Sequence, residues 1–240
     1  MEDVYDREGW GYIDELERAI NEELADAICH GILVSDMAVL VAKEMGEGED
    51  FCHEIAMAGL LHDIGKIKMC RFLYQKQGNS NSLQIENVKY MKKHSAYSYE
   101  ILRKKNIVSL FTLEAIYHHH ENYDGSGYPD NLKGEEIPLA ARILRACDIF
   151  VALTSDRSYR TALDSDTALQ VMIDEVKNFD LHCFMALLRV VHSEAYLEME
   201  QNIDKNELMN EIKTLLAEKE TEQEMKLKEL KFETLELLHV

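Results

Sequence analysis

The chain has 240 residues, of which 46% are hydrophobic and 30% are charged. This composition is typical of a folded globular protein and excludes disordered and fibrous classes, and the length suits one large domain or two small ones at ~150 residues per domain. The formal net charge of −19 would repel a long polyanion, because binding to long nucleic acid normally uses clustered lysine and arginine side chains. A small anionic ligand stays compatible with this charge if metal ions or a few cations reverse the potential inside one cleft.

Signals for export or membrane insertion are not evident. No apolar run approaches the ~18 residues that would cross a bilayer, and the start, MEDVYDREGW, is acidic where a secretory signal would be basic and then apolar. The five cysteines form no C-x-x-C pair and are odd in number, which favours reduced thiols. We therefore expect a cytoplasmic protein that binds neither long nucleic acid nor a membrane.

Helical periodicity begins near the N-terminus. Apolar residues at positions 13, 16, 20, 24 and 27 follow one face of a first helix, and those at 37, 40, 41 and 45 follow one face of a second, which ends near GEGED. A third helix is predicted through HEIAMAGLLHDI as far as Gly65. With only 2 prolines and 11 glycines in the chain, this pattern predicts an all-α fold.

The central part alternates between helices and loops. CRFLYQKQGNSNSLQ, between Cys70 and Gln84, predicts a loop, and a helix through His94 should follow it. The next helix carries Leu113, Ile116 and His120 on one apolar stripe, so that His120 should face inward. NYDGSGYPDNLKGEEIP contains three glycines and both prolines and predicts a long functional loop.

Helices are predicted again beyond this loop. Apolar residues mark one buried helix over positions 139–150 and another over 169–176. From about Glu194 the chain is rich in glutamate and lysine, which predicts one or two solvated helices packed on the core or on a second subunit. We accordingly divide the chain into a catalytic domain over residues 1–193 and an acidic helical extension over residues 194–240.

Several polar residues lie in apolar surroundings. Asp148 is the lone acid in ILRACDIFVAL, and Asp63 follows LLH; burying either carboxylate without a partner would cost several kcal/mol. Metal ions would satisfy these carboxylates and the nearby histidines together, because neutral imidazoles and carboxylates bind Fe, Mn and Zn. The histidines on such apolar segments are His30, His62, His94, His119 and His120.

The spacing of these residues supports a shared site. Asp26 and His30 are four residues apart and lie on one helix face, and Lys66 lies one turn beyond His62. Other interpretations stay open for single residues: His94 as a surface residue, Asp26 as a solvated acid, and His118 to His120 as a cluster that favours the C-terminal helix dipole.

Four motifs occur together. These are HDIGK from His62, MKKH ending at His94, HHHENYDGSGYP from His118 and ACDIFVALTSDRSYR ending at Arg160. Their combination resembles the HD-GYP family, a branch of the HD-domain metal-dependent phosphohydrolases, over roughly residues 20–188. The resemblance implies an HD-domain helical bundle, with an additional C-terminal helical segment here, and hydrolysis of the bacterial second messenger cyclic di-GMP.

The resemblance also implies a centre of two or three divalent metal ions, usually iron or manganese. A metal-activated hydroxide would attack phosphorus and give pGpG, which some relatives cleave further to GMP. His62, Asp63 and Lys66 would be catalytic. The implied metal ligands are His30, His62, Asp63, His94, His119, His120 and Asp148, with Asp26 where some members place a glutamate that holds a third metal.

Two details of the ligand set depart from the family pattern. Glu121 ends the His-His-Glu run, which selects His119 and His120 as ligands and leaves His118 as an extra histidine. Asp26 is one methylene shorter than the usual glutamate, so a two-metal site stays open.

The remaining motifs imply substrate contacts. DGSGYP, from Asp124 to Pro129, would form a wall that contacts the ligand or a partner protein, such as a diguanylate cyclase; the alternative is a turn without function. TSDRSYR has Ser158 where the family usually has proline, but keeps both arginines. The implied substrate-binding residues are Lys66, Asp124, Gly125, Gly127, Tyr128, Arg157 and Arg160.

Two other functions stay open at this point. One is a catalytically weak module that binds a cyclic dinucleotide and acts by contact, and the other is an HD hydrolase for another nucleotide. Because about 25 residues precede Asp26, we expect no receiver or sensory domain in front and regulation through metal loading, redox state, a homodimer or a separate partner.

Overall fold

The computed structural model describes residues 5–69, 90–156, 161–204 and 206–217, and of residues 5–19 and Glu23 it describes the helical backbone. Within these ranges the protein contains helices and no strand, so the predicted all-α fold with an additional C-terminal helical segment is confirmed. The α-helices of four or more described residues are α1 (Tyr5–Glu44), α2 (Glu49–Leu61), α3 (His94–Lys105), α4 (Leu110–His118), α5 (Leu139–Leu153), α6 (Ser165–Asp174), α7 (Leu181–Val191), α8 (Glu194–Asn202) and α9 (206–217), and residues 67–69 and 90–91 are helical as well. Short 3₁₀ turns occupy Ile64–Lys66, Gly134–Glu136 and Val176–Asn178.

The first two predicted helices form one continuous helix, α1, of 40 residues. The prediction of a break between them is wrong because buried Gly31, Val34 and Ala38 continue the apolar stripe from one half to the other. Gly31 is tolerated inside α1 because α2 packs directly on it: a Cβ atom there would lie 2.3 Å from the carbonyl oxygen of Leu60. This close approach places the C-terminal end of α2 beside the middle of α1.

Two helix boundaries differ from the sequence-based expectation. His94 is the first residue of α3, whereas the pattern placed it within a helix that begins earlier. α4 ends at His118, so His120 lies in the turn that follows rather than on the helix itself. Ser109 caps the start of α4 by accepting a hydrogen bond from the Thr112 backbone N–H. The predicted loop between Cys70 and Gln84 lies outside the described residues.

The main hydrophobic core lies between α1, α2 and α5, with α7 closing it from the side. Phe150 of α5 and Phe184 of α7 are almost fully buried in it. Tyr196 of α8 belongs to the same core, and a smaller apolar cluster joins Ile212 of α9 to Ala25 and Cys29 of α1. The acidic C-terminal segment is thus packed on the helical bundle as far as residue 217.

Among the described residues, one segment of α1, Ile20–Glu44, is long and apolar enough by length and composition to cross a membrane. Of its most apolar window, 56% is buried inside the protein. Burial against neighbouring helices is what the core helix of a folded domain shows, and the same segment carries His30, whose side chain points into the bundle.

Candidate metal centre

The chain turns sharply after α2, and this turn carries His62 and Asp63. Ser98 of α3 makes two hydrogen bonds to the backbone of this turn. Its Oγ accepts one from the Gly65 N–H (2.8 Å) and donates one to the carbonyl oxygen of His62 (2.6 Å). Gly65 is required because a Cβ atom there would lie 2.2 Å from the carbonyl oxygen of His94. The turn is therefore seated against the first turn of α3, which begins with His94.

Five segments bring polar side chains to this place. α1 supplies His30, the turn after α2 supplies His62 and Asp63, the start of α3 supplies His94, the turn after α4 supplies His119 and His120, and α5 supplies Asp148. Apart from His120, which is partly buried, all of them are buried. Their potential ligand atoms form three groups within 4.8 Å: His94 with His119 and His120, His30 with His62 and Asp63, and His62 with His119 and Asp148.

Neighbouring ligand atoms lie close to 3 Å apart. The Nε2 atom of His94 lies 3.2 Å from Oδ1 of Asp63, 2.9 Å from Nε2 of His120 and 3.3 Å from Nε2 of His119. Nε2 of His30 lies 2.9 Å from Oδ1 of Asp148. Two donors at ~2.1 Å from one ion and at right angles to each other are ~3.0 Å apart, so these spacings fit shared metal coordination.

Three of the histidines have their ring orientation fixed by the same local contact. The Nδ1 atoms of His62, His94 and His119 lie 2.7, 2.6 and 2.6 Å from the carbonyl oxygens three residues earlier in the chain. Since a carbonyl oxygen can only accept, each Nδ1 carries the proton and each Nε2 keeps its lone pair. Nε2 of His62 is buried and makes no well-formed hydrogen bond among the described residues, with Oδ2 of Asp63 3.3 Å away, so its lone pair is available to a metal ion.

The electrostatics favour neutral imidazoles. Burial lowers the pKa of His94, holds that of His119 well below its usual range, and lowers that of His120 to about 3. For His62, burial acts in the same direction, but the adjacent Asp63 carboxylate outweighs it and raises the pKa. Metal binding requires the lone pair of a neutral imidazole, which the first three histidines retain at neutral pH.

The two carboxylates stay ionised despite burial. Burial disfavours the charge of Asp63, but His62 and Lys66 together hold its pKa well below the usual range. Lys66 donates a 2.6 Å hydrogen bond to Oδ2 of Asp63. Burial likewise opposes the charge of Asp148, and the hydrogen bond from His30 and the proximity of His62 again hold its pKa well below the usual range. Anionic oxygens beside neutral imidazoles are a donor set that fits divalent Fe, Mn or Zn.

The DGSGYP loop lies against one side of this cluster. Tyr128 stacks on the ring of His120 with 4.8 Å between ring centroids, and Nζ of Lys92 lies 5.2 Å from the centre of the Tyr128 ring. Gly127 contacts the backbone of Glu121 so closely that a Cβ atom there would lie 2.5 Å from its Cα. The loop therefore folds back on the His-His-Glu segment and presents Tyr128 to the centre.

The predicted site residues fall into three sets. His30, His62, Asp63, Lys66, His94, His119, His120 and Asp148 lie together, and Tyr128 contacts them. Asp26 is exposed on α1 and is not part of the three ligand groups. The Asp124 carboxylate accepts a hydrogen bond from the Ser126 hydroxyl within its own loop, where Gly125 has a φ of +85°. Arg157 and Arg160 lie outside the described residues.

The structure also brings Arg145 to the centre, which the sequence analysis missed. Its Nη1 lies 3.4 Å from Nδ1 of His120, and its Nε donates to Oδ1 of Asn122 at 3.0 Å. The signal that drew attention to Asp148 applied here too, because Arg145 is a charged residue in the same apolar stretch, ILRACDIFVAL.

A family model described as HD domain matches residues 14–182. The chain belongs to the HD domain family. The resemblance seen in the sequence is confirmed for the HD-domain phosphohydrolases, which use divalent metal ions, and the cluster described above contains residues able to hold such ions.

Curated relatives agree with membership of the HD domain family. The chain is 41% identical over 159 residues to the cyclic di-GMP phosphodiesterase response regulator RpfG of Xanthomonas campestris pv. campestris (strain 8004), covering 65% of this chain and 41% of the relative. It is 32% identical over 179 residues to the 3′3′-cGAMP-specific phosphodiesterase 3 of Vibrio cholerae serotype O1, covering 73% of this chain and 38% of the relative. The chain thus spans about two fifths of the length of these relatives.

The fold is similar to that of a protein of known crystal structure. A cyclic GMP-AMP specific phosphodiesterase of V. cholerae (V-cGAP3) matches with a TM-score of 0.59 and 19% identity, covering 81% of this chain and 53% of the other. At this identity the match concerns the arrangement of the helices, which agrees with the helical HD-domain architecture described above.

Proposed function

We propose that this chain is a metal-dependent phosphodiesterase domain that hydrolyses cyclic di-GMP to pGpG. The observation that carries the proposal is the convergence of the Nε2 lone pairs of His62, His94 and His119 with the carboxylates of Asp63 and Asp148. Relatives named as cyclic di-GMP phosphodiesterases support the choice of substrate.

Divalent ions would be held by His30, His62, Asp63, His94, His119, His120 and Asp148. Bound ions would activate water for attack on phosphorus and neutralise charge on the phosphoryl group. The mixed imidazole and carboxylate set suits iron or manganese. A third ion at Asp26 stays a prediction, which would require this exposed carboxylate to turn toward the cluster.

The chain itself supplies orientation and charge around these ligands. Lys66 keeps Asp63 ionised through its 2.6 Å hydrogen bond and leaves 22% of its own side chain exposed, so the ammonium can also stabilise negative charge on the substrate. Tyr128 covers His120 and restricts water on that side of the centre. Arg157 and Arg160 are proposed as further phosphate contacts because of the family motif that contains them.

A second candidate substrate is 3′3′-cGAMP, because a relative that is 32% identical is named as specific for that nucleotide. Both substrates have two phosphodiester bonds in one ring and would use the same centre, so the difference lies in base recognition. Parallel assays with cyclic di-GMP and 3′3′-cGAMP at equal concentration measure kcat/KM for each and decide between them.

Other expectations remain proposals of the same kind. They are the division into a catalytic domain over residues 1–193 and an extension over 194–240, a cytoplasmic location, a homodimer, and a regulatory or diguanylate cyclase-type partner at the DGSGYP loop. Further cleavage of pGpG to GMP and a non-catalytic binding role are also proposals. Chromatography of the reaction products distinguishes between GMP, pGpG and uncleaved cyclic di-GMP.

The decisive experiment replaces the pair at the turn. The variant His62→Ala/Asp63→Ala removes donors from two of the three ligand groups. We therefore expect loss of most bound metal and a fall of at least ~10³-fold in cyclic di-GMP cleavage. Metal content is measured by plasma mass spectrometry after desalting, and cleavage by product chromatography.

The control is His182→Ala/His192→Ala, which removes two exposed histidines outside the cluster. It should keep native metal content and activity. If the His62/Asp63 variant, folded by circular dichroism, retains both its metal and its activity, the assignment of the centre is wrong.

A further inference from the structure

We infer that Arg145 is an additional substrate-binding residue that contacts a phosphoryl oxygen beside the candidate metal centre. The identity of the anion rests on the proposed function, whereas the position of the arginine rests on its own contacts. Arg145 and Asp148 are three residues apart on α5, so their side chains leave the same face of the helix toward the cluster.

The guanidinium group of Arg145 lies at the edge of the ligand cluster. Its Nη1 atom is 3.4 Å from Nδ1 of His120, whose Nε2 belongs to the group formed with His94 and His119. Tyr128 stacks on the same His120 ring. An anion bound at the cluster on the side of the DGSGYP loop would therefore meet the guanidinium group.

The charge of Arg145 has no carboxylate partner within 4 Å among the described residues. Arg142, one turn earlier on α5, differs in this respect because it pairs with the Asp180 carboxylate and donates to the carbonyl oxygen of Ile137. Holding a guanidinium away from water without a directly bonded anion is costly, so a partly buried arginine at a cleft is a good candidate for receiving its counter-ion from a ligand. The planar N–H donors of arginine match phosphate oxygens in pairs.

The DGSGYP loop fixes the direction of this side chain. Oδ1 of Asn122 accepts a 3.0 Å hydrogen bond from Nε of Arg145, and Nδ2 of Asn122 donates to Oγ of Ser126 at 2.9 Å. Ser126 in turn donates to Oδ1 of Asp124 from its N–H (2.9 Å) and from its hydroxyl (2.6 Å). Asn122 is therefore a positioning residue, and the polar residues of the loop contribute by orienting Arg145.

Three variants test this inference with inorganic phosphate and cyclic di-GMP as probes. Arg145→Gln should weaken phosphate binding to the metal-loaded protein and raise KM for cyclic di-GMP by at least ~10-fold, with metal content unchanged, because one charge-assisted contact to the anion is lost. Arg145→Lys should recover part of the phosphate affinity. Asn122→Asp should also weaken phosphate binding although Arg145 is retained, because the new carboxylate would pair with its Nε.

Arg189→Gln is the matched control, since it removes the same charge from an exposed arginine that pairs with Glu44. It should leave phosphate affinity and KM at native values. Phosphate binding is measured by calorimetry and metal content by mass spectrometry, so that neither readout depends on turnover.

The inference is overturned if Arg145→Gln binds phosphate as the native protein does, if it loses metal in parallel with phosphate affinity, or if the native protein binds no phosphate. Its failure differs from failure of the proposed function. If the native protein binds phosphate through Arg145 but cleaves no cyclic di-GMP, the proposed function is refuted and the inference about Arg145 is kept. If the His62/Asp63 variant loses activity while Arg145→Gln behaves as the native protein does, the proposed function is supported and the inference is refuted.

Discussion

At the scale of single residues, Ser95 and Ser98 form an informative pair. Both are fully buried on α3, yet the hydroxyl of Ser98 bonds to the turn that carries His62 and Asp63, whereas that of Ser95 has no hydrogen-bond partner among the described residues. The two serines therefore separate the effect of the hydrogen bonds from the effect of removing a buried hydroxyl group.

We predict that Ser98→Ala lowers the free energy of unfolding by about 2 kcal/mol, because the Gly65 N–H and the His62 carbonyl group would be left buried without this partner. It should also weaken metal binding by about 10-fold, as substitutions of residues that orient ligands do. Urea denaturation measures the first quantity and chelator competition the second.

Ser95→Ala serves as the control and should change both quantities little, since it removes a hydroxyl group without a described partner. Equal effects of the two substitutions would mean that the hydrogen bonds of Ser98 do not position the turn.

Sequence patterns identified the candidate ligands well but missed their supports. Asp63 and Asp148 could be recognised because an isolated acid in an apolar segment needs a cation, and the structure places both beside histidines. Ser98 gave no comparable signal, because a serine is unremarkable in any helix. Arg145 is a charged residue in the same apolar stretch as Asp148, but which face of α5 meets the DGSGYP loop follows only from the tertiary structure.

At the scale of elements, the contact between α1 and α2 sets the position of His30. Gly31 and Gly59 face each other's helices, and a Cβ atom at Gly59 would lie 2.8 Å from Cα of Ser35. The two backbones therefore approach closely where α1 passes the end of α2, and His30 reaches Asp148 and His62 from that crossing.

We predict that Gly31→Ala destabilises the protein by about 2 kcal/mol or more, although alanine favours a helix, because the added methyl group would meet backbone atoms of Leu60 that cannot move alone. Separation of the helices should also lower metal affinity through His30. Thermal denaturation and chelator competition give the two readouts.

Gly48→Ala provides the comparison, since a Cβ atom there meets nothing within 4 Å and the φ of −77° suits any residue. It should cost at most about 1 kcal/mol, the scale of an N-cap effect. A larger loss at Gly48 than at Gly31 would contradict the close-contact explanation.

The helices themselves could be predicted from apolar periodicity, but some of their ends could not. The pattern divided α1 in two because it followed apolar residues up to position 27 and again from position 37, whereas the helix continues through Gly31, which packs on α2. It extended α4 by two residues because His120 continues the spacing of the apolar stripe, whereas the backbone after His118 forms a turn in which the Glu121 N–H donates to the carbonyl oxygen of His118.

At the scale of the whole molecule, the candidate centre connects α1, α3, α5 and the turns after α2 and α4. Ions bound there would bind the folded chain and not the unfolded one, so they should stabilise the fold by mass action. Sequence alone could name the family and the candidate ligands, whereas the joint packing of these five segments required the structure.

We predict that removing the metal with a chelator lowers Tm by about 5–10 °C relative to protein at a free metal concentration 100-fold above Kd, which corresponds to about 2.7 kcal/mol. Differential scanning fluorimetry across a series of Mn²⁺ concentrations measures the shift. In His62→Ala/Asp63→Ala the Tm should no longer depend on Mn²⁺; an undiminished dependence would locate the stabilising ion elsewhere.

The hydrogen bond between His30 and Asp148 joins residues 118 positions apart in the chain. During synthesis at ~5–20 residues per second, the ribosome would add Asp148 roughly 6–24 s after His30. A growing or truncated chain that ends before α5 therefore contains the candidate histidine ligands but lacks Asp148. The candidate metal site would be complete only late in translation, when α5 has been synthesised.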